Sequence, residues 1–178
     1  MNPSRLTAAD IEQAIRNVPD FPQPGIQFKD ITPVLADARL FAGAIDLLTE
    51  NFKPGSVDAV VGIDARGFIF AAAAAVRLQA GFVPVRKKGK LPFHTIEQDY
   101  ALEYGQATVA IHTDAIKPGS RVLLVDDLLA TGGTSAAAVA LVQKLGGHIL
   151  EAGFLIELKF LNGREKLAGI PIRSLVTY

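Results

Sequence analysis

The chain has 178 residues, 49% of them apolar, which is enough to build one domain with a full hydrophobic core. Its 18 Lys and Arg residues balance 18 Asp and Glu residues, so no overall charge would draw it to nucleic acid or to an anionic membrane. The absence of cysteine from the sequence excludes disulfides, thiolate metal sites and a cysteine nucleophile.

The N-terminal part is predicted to hold two helices separated by an irregular segment. Apolar residues between Leu6 and Val18 have helical spacing and predict a short helix that Pro19 ends. Residues 21–33 contain three prolines and a glycine, which deny this segment a helix and predict a rigid extended stretch. Apolar residues between Leu40 and Leu48 predict the second helix.

The rest of the chain alternates between strand and helix patterns. The first unit has a strand over 57–63, the exit turn Asp64-Ala65-Arg66-Gly67 and a helix over 68–78. Later strands are predicted over 81–85, 108–112, 122–125, 149–158 and 172–176. Strands that alternate with helices are typical of a parallel α/β sheet, so we expect a single α/β domain.

No segment of the sequence has the features of a membrane anchor or a secretion signal. The longest uninterrupted apolar run, residues 68–76, has nine residues, whereas a bilayer span needs roughly 18. The N-terminus places Asp10 and Glu12 soon after Arg5 and lacks the apolar core of a signal peptide. We therefore expect a soluble cytoplasmic protein with no nucleic-acid or membrane partner.

The most informative stretch joins a strand, two acids and a glycine-rich turn without a break. Four apolar residues, 122–125, precede Asp126-Asp127 and have the pattern of a strand buried on both faces of a parallel sheet. Thr131-Gly132-Gly133-Thr134 then leads into an alanine-rich helix over 135–145. The acids and the turn are therefore predicted at the carboxyl end of a strand.

This turn has the properties of an anion site. Glycines allow backbone N–H groups to converge, threonine hydroxyls add donors, and a helix N-terminus contributes positive potential, so a phosphate monoester fits. Asp126 and Asp127 would not favour the phosphate, but they can accept hydrogen bonds from ribose hydroxyls one sugar away. Taken alone, the glycine pair fits an ordinary capped helix better, whereas the complete string favours a ribose-phosphate site.

The hydrophobic strand, the two acids and the Thr/Gly-rich loop resemble the signature of the phosphoribosyltransferases, which bind 5-phosphoribosyl 1-pyrophosphate (PRPP). The resemblance implies that Asp126 and Asp127 face the ribose. It also implies that the 5′-phosphate is held by the loop residues Ala130, Thr131, Gly132, Gly133 and Thr134. A bulky side chain at Gly133 is then expected to abolish PRPP binding, because it would fill the anion's position or forbid the required φ.

Four cationic residues follow strand ends and are candidates for binding the diphosphate of PRPP. Arg66 lies in the exit turn of the first strand, and Arg86, Lys87 and Lys90 follow the strand at 81–85. Ligands of open α/β sheets bind at the carboxyl ends of strands, and cations aimed at developing charge help a leaving group depart. A solvated turn and a solvated charged face are the simpler alternatives for these residues.

Residues from Leu91 to Asp99 show no clear period, which predicts an irregular, mobile lid over about 90–103. Such a lid has a use, because water would trap the oxocarbenium-like state of a glycosyl transfer. Glu103 lies at the end of this segment. On sequence alone it is more simply an exposed strand residue.

Segments 21–35, 62–70, 84–92, 100–105 and 122–134 are similar, in order and spacing, to the adenine phosphoribosyltransferases, and together they cover nearly the whole chain. In that family the acid that Glu103 matches lies beside N7 of the purine. The resemblance therefore implies that Glu103 is catalytic and handles the proton of the imidazole ring while N9 attacks the sugar.

The same resemblance implies that residues 1–35 form a hood over the base. Phe28 would stack on one face of adenine and Leu128 would close the other, while the backbone at Gln27 and Lys29 addresses its Watson–Crick edge. Gln27 stands where some relatives carry an apolar residue, and Lys29 where many carry Arg. Readout through the backbone would survive both changes.

The implied fold is the parallel-sheet type I phosphoribosyltransferase (Rossmann-like) α/β fold, with residues 1–178 as a single domain. The implied reaction transfers the 5-phosphoribosyl group from PRPP to N9 of adenine, giving AMP and diphosphate. Mg²⁺ is the expected cofactor, bound mainly through substrate oxygens and water and with no direct protein ligand. A homodimer is implied by the resemblance alone. Two alternatives stay open, a phosphoribosyltransferase for another base and a regulator that binds PRPP without turning it over.

Overall fold

A computed structural model describes residues 6–101 and 105–178 of the chain. Its N-terminal part contains a two-stranded antiparallel sheet flanked by helices. In chain order the elements of this part are α1 (Ala8–Ala14), β1 (Arg16–Pro19), β2 (Gln27–Asp30), α2 (Thr32–Ala36) and α3 (Ala38–Thr49). The helix expected over residues 40–48 is confirmed as α3.

The main body is a seven-stranded sheet with helices on both faces. Its strands are β3 (Ala59–Ile63), β4 (Gly81–Lys87), β5 (Thr95–Ala101), β6 (Gln106–His112), β7 (Arg121–Leu129), β8 (His148–Glu157) and β9 (Ile172–Thr177). Its helices are α4 (Gly67–Leu78) and α5 (Gly133–Lys144), and two short 3₁₀ turns, Lys159–Leu161 and Gly163–Leu167, follow β8. Across the sheet the order is β5-β6-β4-β3-β7-β8-β9.

The centre of the sheet is parallel, as predicted, but one edge is not. The strands β4, β3, β7, β8 and β9 run parallel, whereas β5 and β6 form an antiparallel hairpin. The hairpin joins the sheet where β6 pairs with Arg86 and Lys87 of β4. The hairpin therefore extends the sheet at the end of β4 that carries the predicted cations.

The strand β7 is buried on both faces, which explains its uninterrupted apolar run. Leu123 and Val125 pack in the apolar layer that contains Phe70 of α4. Leu124 packs in the opposite layer, with Leu141 of α5. A strand between two apolar layers has no solvent-facing side, so after the exposed Arg121 at its start β7 carries no polar residue until the acids.

The first helix is shorter than predicted. Thr7 and Asp10 form a capping box at its start, in which the Asp10 carboxylate accepts from the Thr7 N–H at 2.8 Å. The helix ends one turn early, and Val18 and Pro19 belong to β1, where Val18 pairs with Phe28. Pairing with a distant strand therefore prevails over the helical spacing of this segment.

The segment predicted as an irregular lid contains a regular strand, β5, which pairs with β6 along its whole length. Ile96 and Tyr100 of β5 pack on the main core, but Gln98 lies between them on the same face. This polar residue hides the alternation in the sequence. The lid role itself stays a prediction.

Among the helices of the described residues, none is long and apolar enough to cross a membrane.

Candidate active site

The carboxyl ends of three neighbouring strands meet at one edge of the sheet. In the parallel register, Gly62 of β3 pairs with Pro84 of β4 on one side and Val125 of β7 on the other. The turn after β3, the cations of β4 and the acids of β7 are therefore brought to the same edge. Ligands of α/β sheets bind at such an edge.

Asp126 and Asp127 lie within β7, which continues to Leu129 rather than ending at Val125 as predicted. Both residues are nearly buried, with exposures of 9% and 7%. The N–H of Asp127 donates to Oδ1 of Asp126 at 2.9 Å. A Cβ at position 67 would collide with the same oxygen, so Gly67 allows the start of α4 to pack on this carboxylate.

The surroundings of the two acids make their ionisation unfavourable. Burial, followed by repulsion from Asp127, raises the pKa of Asp126 well above 3.8. Burial also raises the pKa of Asp127, although the Arg66 guanidinium opposes the shift. Perturbed carboxyl groups of this kind concentrate at functional sites, where they are retained for binding or chemistry.

Asp126→Asn is expected to stabilise the protein while weakening its binding of a ribose ligand. Folding raises the pKa of the Asp126 carboxyl, so this group contributes its full stabilisation of the folded state only at a pH below its unfolded pKa near 3.8. The stabilisation is lost as the pH rises through the higher pKa of the folded protein. The variant should therefore be more stable at neutral pH, by about 1 kcal/mol.

Thermal unfolding of both proteins, followed by circular dichroism at several pH values, measures this difference. The gap between variant and wild type should shrink as the pH falls toward the unfolded pKa of the carboxyl. The Asn side chain keeps an oxygen for the N–H of Asp127, so packing is preserved. A gap that is independent of pH would show that ionisation of Asp126 is not its cause.

The glycine-rich turn after β7 encloses a small polar cavity at the start of α5. The cavity has a volume of about 110 Å³ and is lined by Asp126, Leu128, Ala130, Thr131, Gly132, Gly133, Thr134 and Ser135. Within the described part of the chain, no side-chain hydrogen bond caps the N-terminus of α5. Because the first N–H groups of a helix have no partner inside the helix, donors and the positive end of the helix dipole are available at this cavity.

Gly132, rather than Gly133, has the backbone conformation that requires glycine. Its φ is +75°, and a Cβ there would collide with the carbonyl oxygen of Gly163. A Cβ at Gly133 would lie 3.3 Å from both the carbonyl oxygen of Ala101 and Cδ2 of Tyr100, on the side of β5. The φ requirement predicted for Gly133 therefore belongs to Gly132.

Arg66 connects the acidic pair to the N-terminal sheet. Its Nη2 lies 2.8 Å from Oδ2 of Asp127, and its guanidinium carbon lies 5.3 Å from the centroid of the Phe28 ring. Phe28 packs edge to face on Phe21 at 5.1 Å. A cation–π contact of this kind contributes about 0.5–1 kcal/mol. Arg66, a predicted diphosphate ligand, therefore contacts both Asp127, a predicted ribose ligand, and Phe28, a predicted adenine ligand.

Gln27 and Lys29 flank Phe28 in β2, and strand alternation directs their side chains away from Arg66. Oε1 of Gln27 accepts from Nδ2 of Asn17 at 2.7 Å. Nζ of Lys29 lies 3.8 Å from the centroid of the Tyr178 ring. These two side chains therefore have partners outside the acidic cluster.

The cations of β4 lie next to the turn that carries Arg66. Nε of Arg86 donates to Oδ2 of Asp64 at 2.8 Å, and its Nη1 donates to the carbonyl of Lys90 at 2.9 Å. Since Asp64 directly follows β3, this contact connects the ends of two strands. Lys87 and Lys90 are exposed beside it. A diphosphate role for Arg66 and these three residues stays a prediction.

Glu103, the predicted catalytic acid, lies outside the described residues. The strand β5 ends two residues before it, at Ala101, close to Gly133. Nζ of Lys144 in α5 donates to Oε1 of Gln98 in β5 at 2.8 Å. The strand therefore runs beside α5 and ends at the glycine-rich turn.

Three residues at this site were not predicted from the sequence. Ser135 lines the cavity and is buried, Gly67 packs on Asp126, and Gly163 lies against Gly132. The pair Asn162-Gly163 is a recognisable turn signal, but a turn signal does not identify what the turn packs against.

In the described residues, no group of three or more His, Asp or Glu side chains could hold a metal ion.

Nearly all of these residues fall within a segment that matches a known family. Residues 28–166 match the family described as the phosphoribosyl transferase domain. A curated adenine phosphoribosyltransferase from Thermobifida fusca is 56% identical and covers 94% of this chain and 95% of its own length. The crystal structure of the adenine phosphoribosyltransferase from Rhodothermus marinus has a TM-score of 0.91 and 52% identity, covering 96% of this chain and 98% of that one. The Saccharomyces cerevisiae enzyme, complexed with an imino-altritol bisphosphate and adenine, has a TM-score of 0.89 and 42% identity over 94% and 97% of the two chains.

Proposed function

The chain belongs to the adenine phosphoribosyltransferases, a branch of the phosphoribosyl transferase family, and on that basis we propose how its strand-edge site works. The enzyme transfers the 5-phosphoribosyl group of PRPP to N9 of adenine, giving AMP and diphosphate in purine salvage. One observation carries the assignment of the site. The N-terminus of α5, which no described side chain caps, lies at a cavity that also contains the buried carboxylate of Asp126.

The phosphate needs hydrogen-bond donors and the ribose hydroxyls need acceptors, and the two ends of the cavity supply them. Backbone N–H groups of residues 130–134, together with the hydroxyls of Thr131 and Thr134, donate to the 5′-phosphate. Asp126 and Asp127 accept hydrogen bonds from the ribose hydroxyls. Leu128 lies between these two sets and closes one face of the base pocket.

Arg66 stabilises the charge that develops on the diphosphate as the bond to C1′ breaks. A guanidinium has five donors, so Arg66 can hold Asp127 and still donate to diphosphate oxygens. Its side chain is 39% exposed and is accessible to a ligand. Arg86, Lys87 and Lys90 add positive charge near the same turn, in this site or in that of a partner subunit.

Mg²⁺ is the cofactor that we propose, bound mainly by oxygens of PRPP and by water. The donor chemistry fits, because the carboxylate oxygens of Asp126 and Asp127 would accept hydrogen bonds from water bound to this ion, and a nearby cation would favour the ionised form of both acids. When bound, the ion supplies positive charge that neutralises the diphosphate.

Glu103 is proposed to assist the attacking base. Neutral adenine is a poor nucleophile, and a carboxylate beside its N7–H raises the electron density of the ring. N9 then forms the bond to C1′ as the bond to the diphosphate oxygen breaks, and the diphosphate leaves with the electron pair. The Glu103 carboxylate stabilises the positive charge that develops on the imidazole ring and accepts the proton of N7, which gives AMP.

Selectivity for adenine is expected to come from backbone groups around Phe28. Adenine offers an amino donor at C6 and an acceptor at N1, whereas hypoxanthine reverses both. An unpaired buried polar group costs about 1–3 kcal/mol, so two mismatches should give a preference in kcat/KM of roughly 10²–10⁴. Because the side chains of Gln27 and Lys29 have partners elsewhere, Gln27→Ala and Lys29→Ala should keep most of this preference.

Phe28→Ala is the matched counterpart, since it removes the stacking face and should lower kcat/KM for every base alike. Steady-state kinetics with adenine and hypoxanthine across the three variants separate the two effects. If Gln27→Ala or Lys29→Ala erases the preference, side chains rather than the backbone read the base.

A homodimer is proposed to form through the outer face of α4. Ile69 and Val76 of this helix are 40% and 81% exposed, and Phe82 of β4 is 38% exposed. Phe82 packs edge to face on Phe68 of α4 at 5.4 Å, which extends the apolar surface of this helix onto β4. Apart from Arg77, which pairs with Asp46, the exposed residues of α4 are apolar, and an exposed apolar patch commonly marks an interface.

Val76→Glu is expected to convert the dimer into a monomer in sedimentation velocity, because it places a charge in an apolar interface. Phe160→Glu is the control, since Phe160 is 70% exposed on a different part of the surface. If Phe160→Glu dissociates the dimer and Val76→Glu does not, the dimer interface lies elsewhere than on α4.

Incubation with Mg²⁺, PRPP and each of adenine, hypoxanthine, guanine, xanthine and orotate tests the activity. Formation of AMP as the main product supports the proposal. Another nucleotide would identify a phosphoribosyltransferase for that base, and PRPP binding without any nucleotide would identify a regulator. A cytoplasmic location stays an expectation.

A further inference from the structure

A short 3₁₀ turn packs behind the glycine-rich turn through direct contact between two backbones. Gly163 begins this turn and is buried. A Cβ on Gly163 would collide with the carbonyl oxygen of Ala130 and would lie 3.1 Å from the backbone nitrogen of Gly132. A Cβ on Gly132 would in turn collide with the carbonyl oxygen of Gly163. Each glycine is therefore needed for the approach of the other segment.

The 3₁₀ turn is itself firmly anchored to the sheet. Nε and Nη2 of Arg164 donate to the two carboxylate oxygens of Glu157 at 2.6 and 2.7 Å. Glu157 ends β8 and is only 3% exposed, and hydrogen bonding to Arg164 is the main cause that lowers its pKa. Leu167, at the other end of the turn, is buried in the main core. A bidentate pair next to Gly163 and an apolar anchor at Leu167 thus fix the 3₁₀ turn near both of its ends.

We propose that Gly163 is a positioning residue for the 5′-phosphate site. It forms a rigid wall behind Ala130 and Gly132 and so fixes the conformation in which the following N–H groups converge. Glycine has the widest choice of φ and ψ, so Gly132 would otherwise be free to leave its φ of +75°. A pre-organised set of donors binds an anion more tightly, because less conformational freedom is lost on binding. This inference rests on the proposed function and extends it to a residue outside the loop.

Gly163→Ala tests the inference. The added methyl group must displace either the 3₁₀ turn or Ala130, since the obstructing atom belongs to the backbone. The Kd for PRPP with Mg²⁺, measured by calorimetry, should rise about tenfold or more. The KM for adenine should stay within about twofold, because the base is held by the hood rather than by this turn.

Gly147→Ala is the matched control. Its Cβ would lie 2.8 Å from Cγ1 of Val142 and 3.0 Å from Cγ2 of Ile116, so it also strains buried packing, but after the C-terminal end of α5. It should lower the Tm and leave the Kd for PRPP unchanged. Equal losses of PRPP affinity in Gly147→Ala and Gly163→Ala would overturn the inference, because they would reflect general destabilisation.

Arg164→Gln decides the matter if Gly163→Ala does not fold. It keeps the glycine and a donor for Glu157 but loosens the turn, so the Kd for PRPP should rise about threefold with adenine KM unaffected. If Gly163→Ala folds and its Kd for PRPP is unchanged, the inference is overturned and the proposed function stands. If Gly163→Ala does not fold, an unchanged Kd in Arg164→Gln has the same meaning. A wild-type protein that binds no PRPP overturns both.

Discussion

Gly132→Leu is expected to abolish PRPP binding in a protein that still folds. Position 132 has a φ of +75°, which costs a residue with a side chain about 1–2 kcal/mol, and the new Cβ would also collide with the backbone of Gly163. The turn must therefore move, and its N–H groups would no longer converge on the phosphate. Calorimetric titration with PRPP and Mg²⁺ should show a loss of affinity of at least about 100-fold.

Two glycine variants separate this effect from its alternatives. Gly55→Ala imposes a similar backbone strain, since its φ is +80°, but its Cβ would enter open space before the start of β3, at the opposite end of the strands from the site. It should lower stability without weakening PRPP binding. Gly133→Ala directs its methyl group toward Ala101 and Tyr100, so its effect on binding should be small. Retention of PRPP affinity in Gly132→Leu would show that the phosphate binds elsewhere.

The parts of the fold and site that the sequence predicts are those decided by local pattern. Residues 122–125 are apolar because both faces of β7 are covered, and the alanine-rich helix after them is confirmed as α5. The acids and the glycine-rich turn lie between these two elements and are positioned by them. The assembly of Asp126 and Asp127 with the cavity of residues 130–134 therefore follows from one continuous stretch of chain.

Contacts between distant segments were not predictable in the same way. The spacing between Leu6 and Val18 is helical, yet Val18 pairs with Phe28 in a strand, because the partner strand satisfies its backbone. The alternation of β5 is broken by Gln98, so its pairing with β6 is apparent only in three dimensions. Gly163 carries a turn signal, but no local pattern relates it to Gly132. These elements are fixed by tertiary packing rather than by local preference.

Glu103→Leu is expected to lower kcat by roughly 10²–10⁴, the range typical of a lost general acid–base group. The carboxylate is proposed to act on the base as N9 attacks, so its removal should affect the transition state rather than PRPP binding. The KM for PRPP should stay nearly unchanged, because the phosphate and ribose contacts lie at the glycine-rich turn and at Asp126 and Asp127. Steady-state kinetics with both substrates measure these quantities.

A second substitution separates the effect on kcat of the charge of Glu103 from the effect of its size. Glu103→Gln keeps the shape and polarity of the side chain but cannot stabilise positive charge on the imidazole ring, so it should lose most of the activity that Glu103→Leu loses. Glu97→Gln is the control, because Glu97 lies on β5 and pairs with Lys88 at 2.6 Å, on the exposed surface. Its kcat should stay within about twofold of wild type, as expected for an exposed ion pair. If Glu103→Gln and Glu103→Leu both retain kcat within a few-fold, Glu103 takes no part in the reaction and the adenine base must be activated by another group.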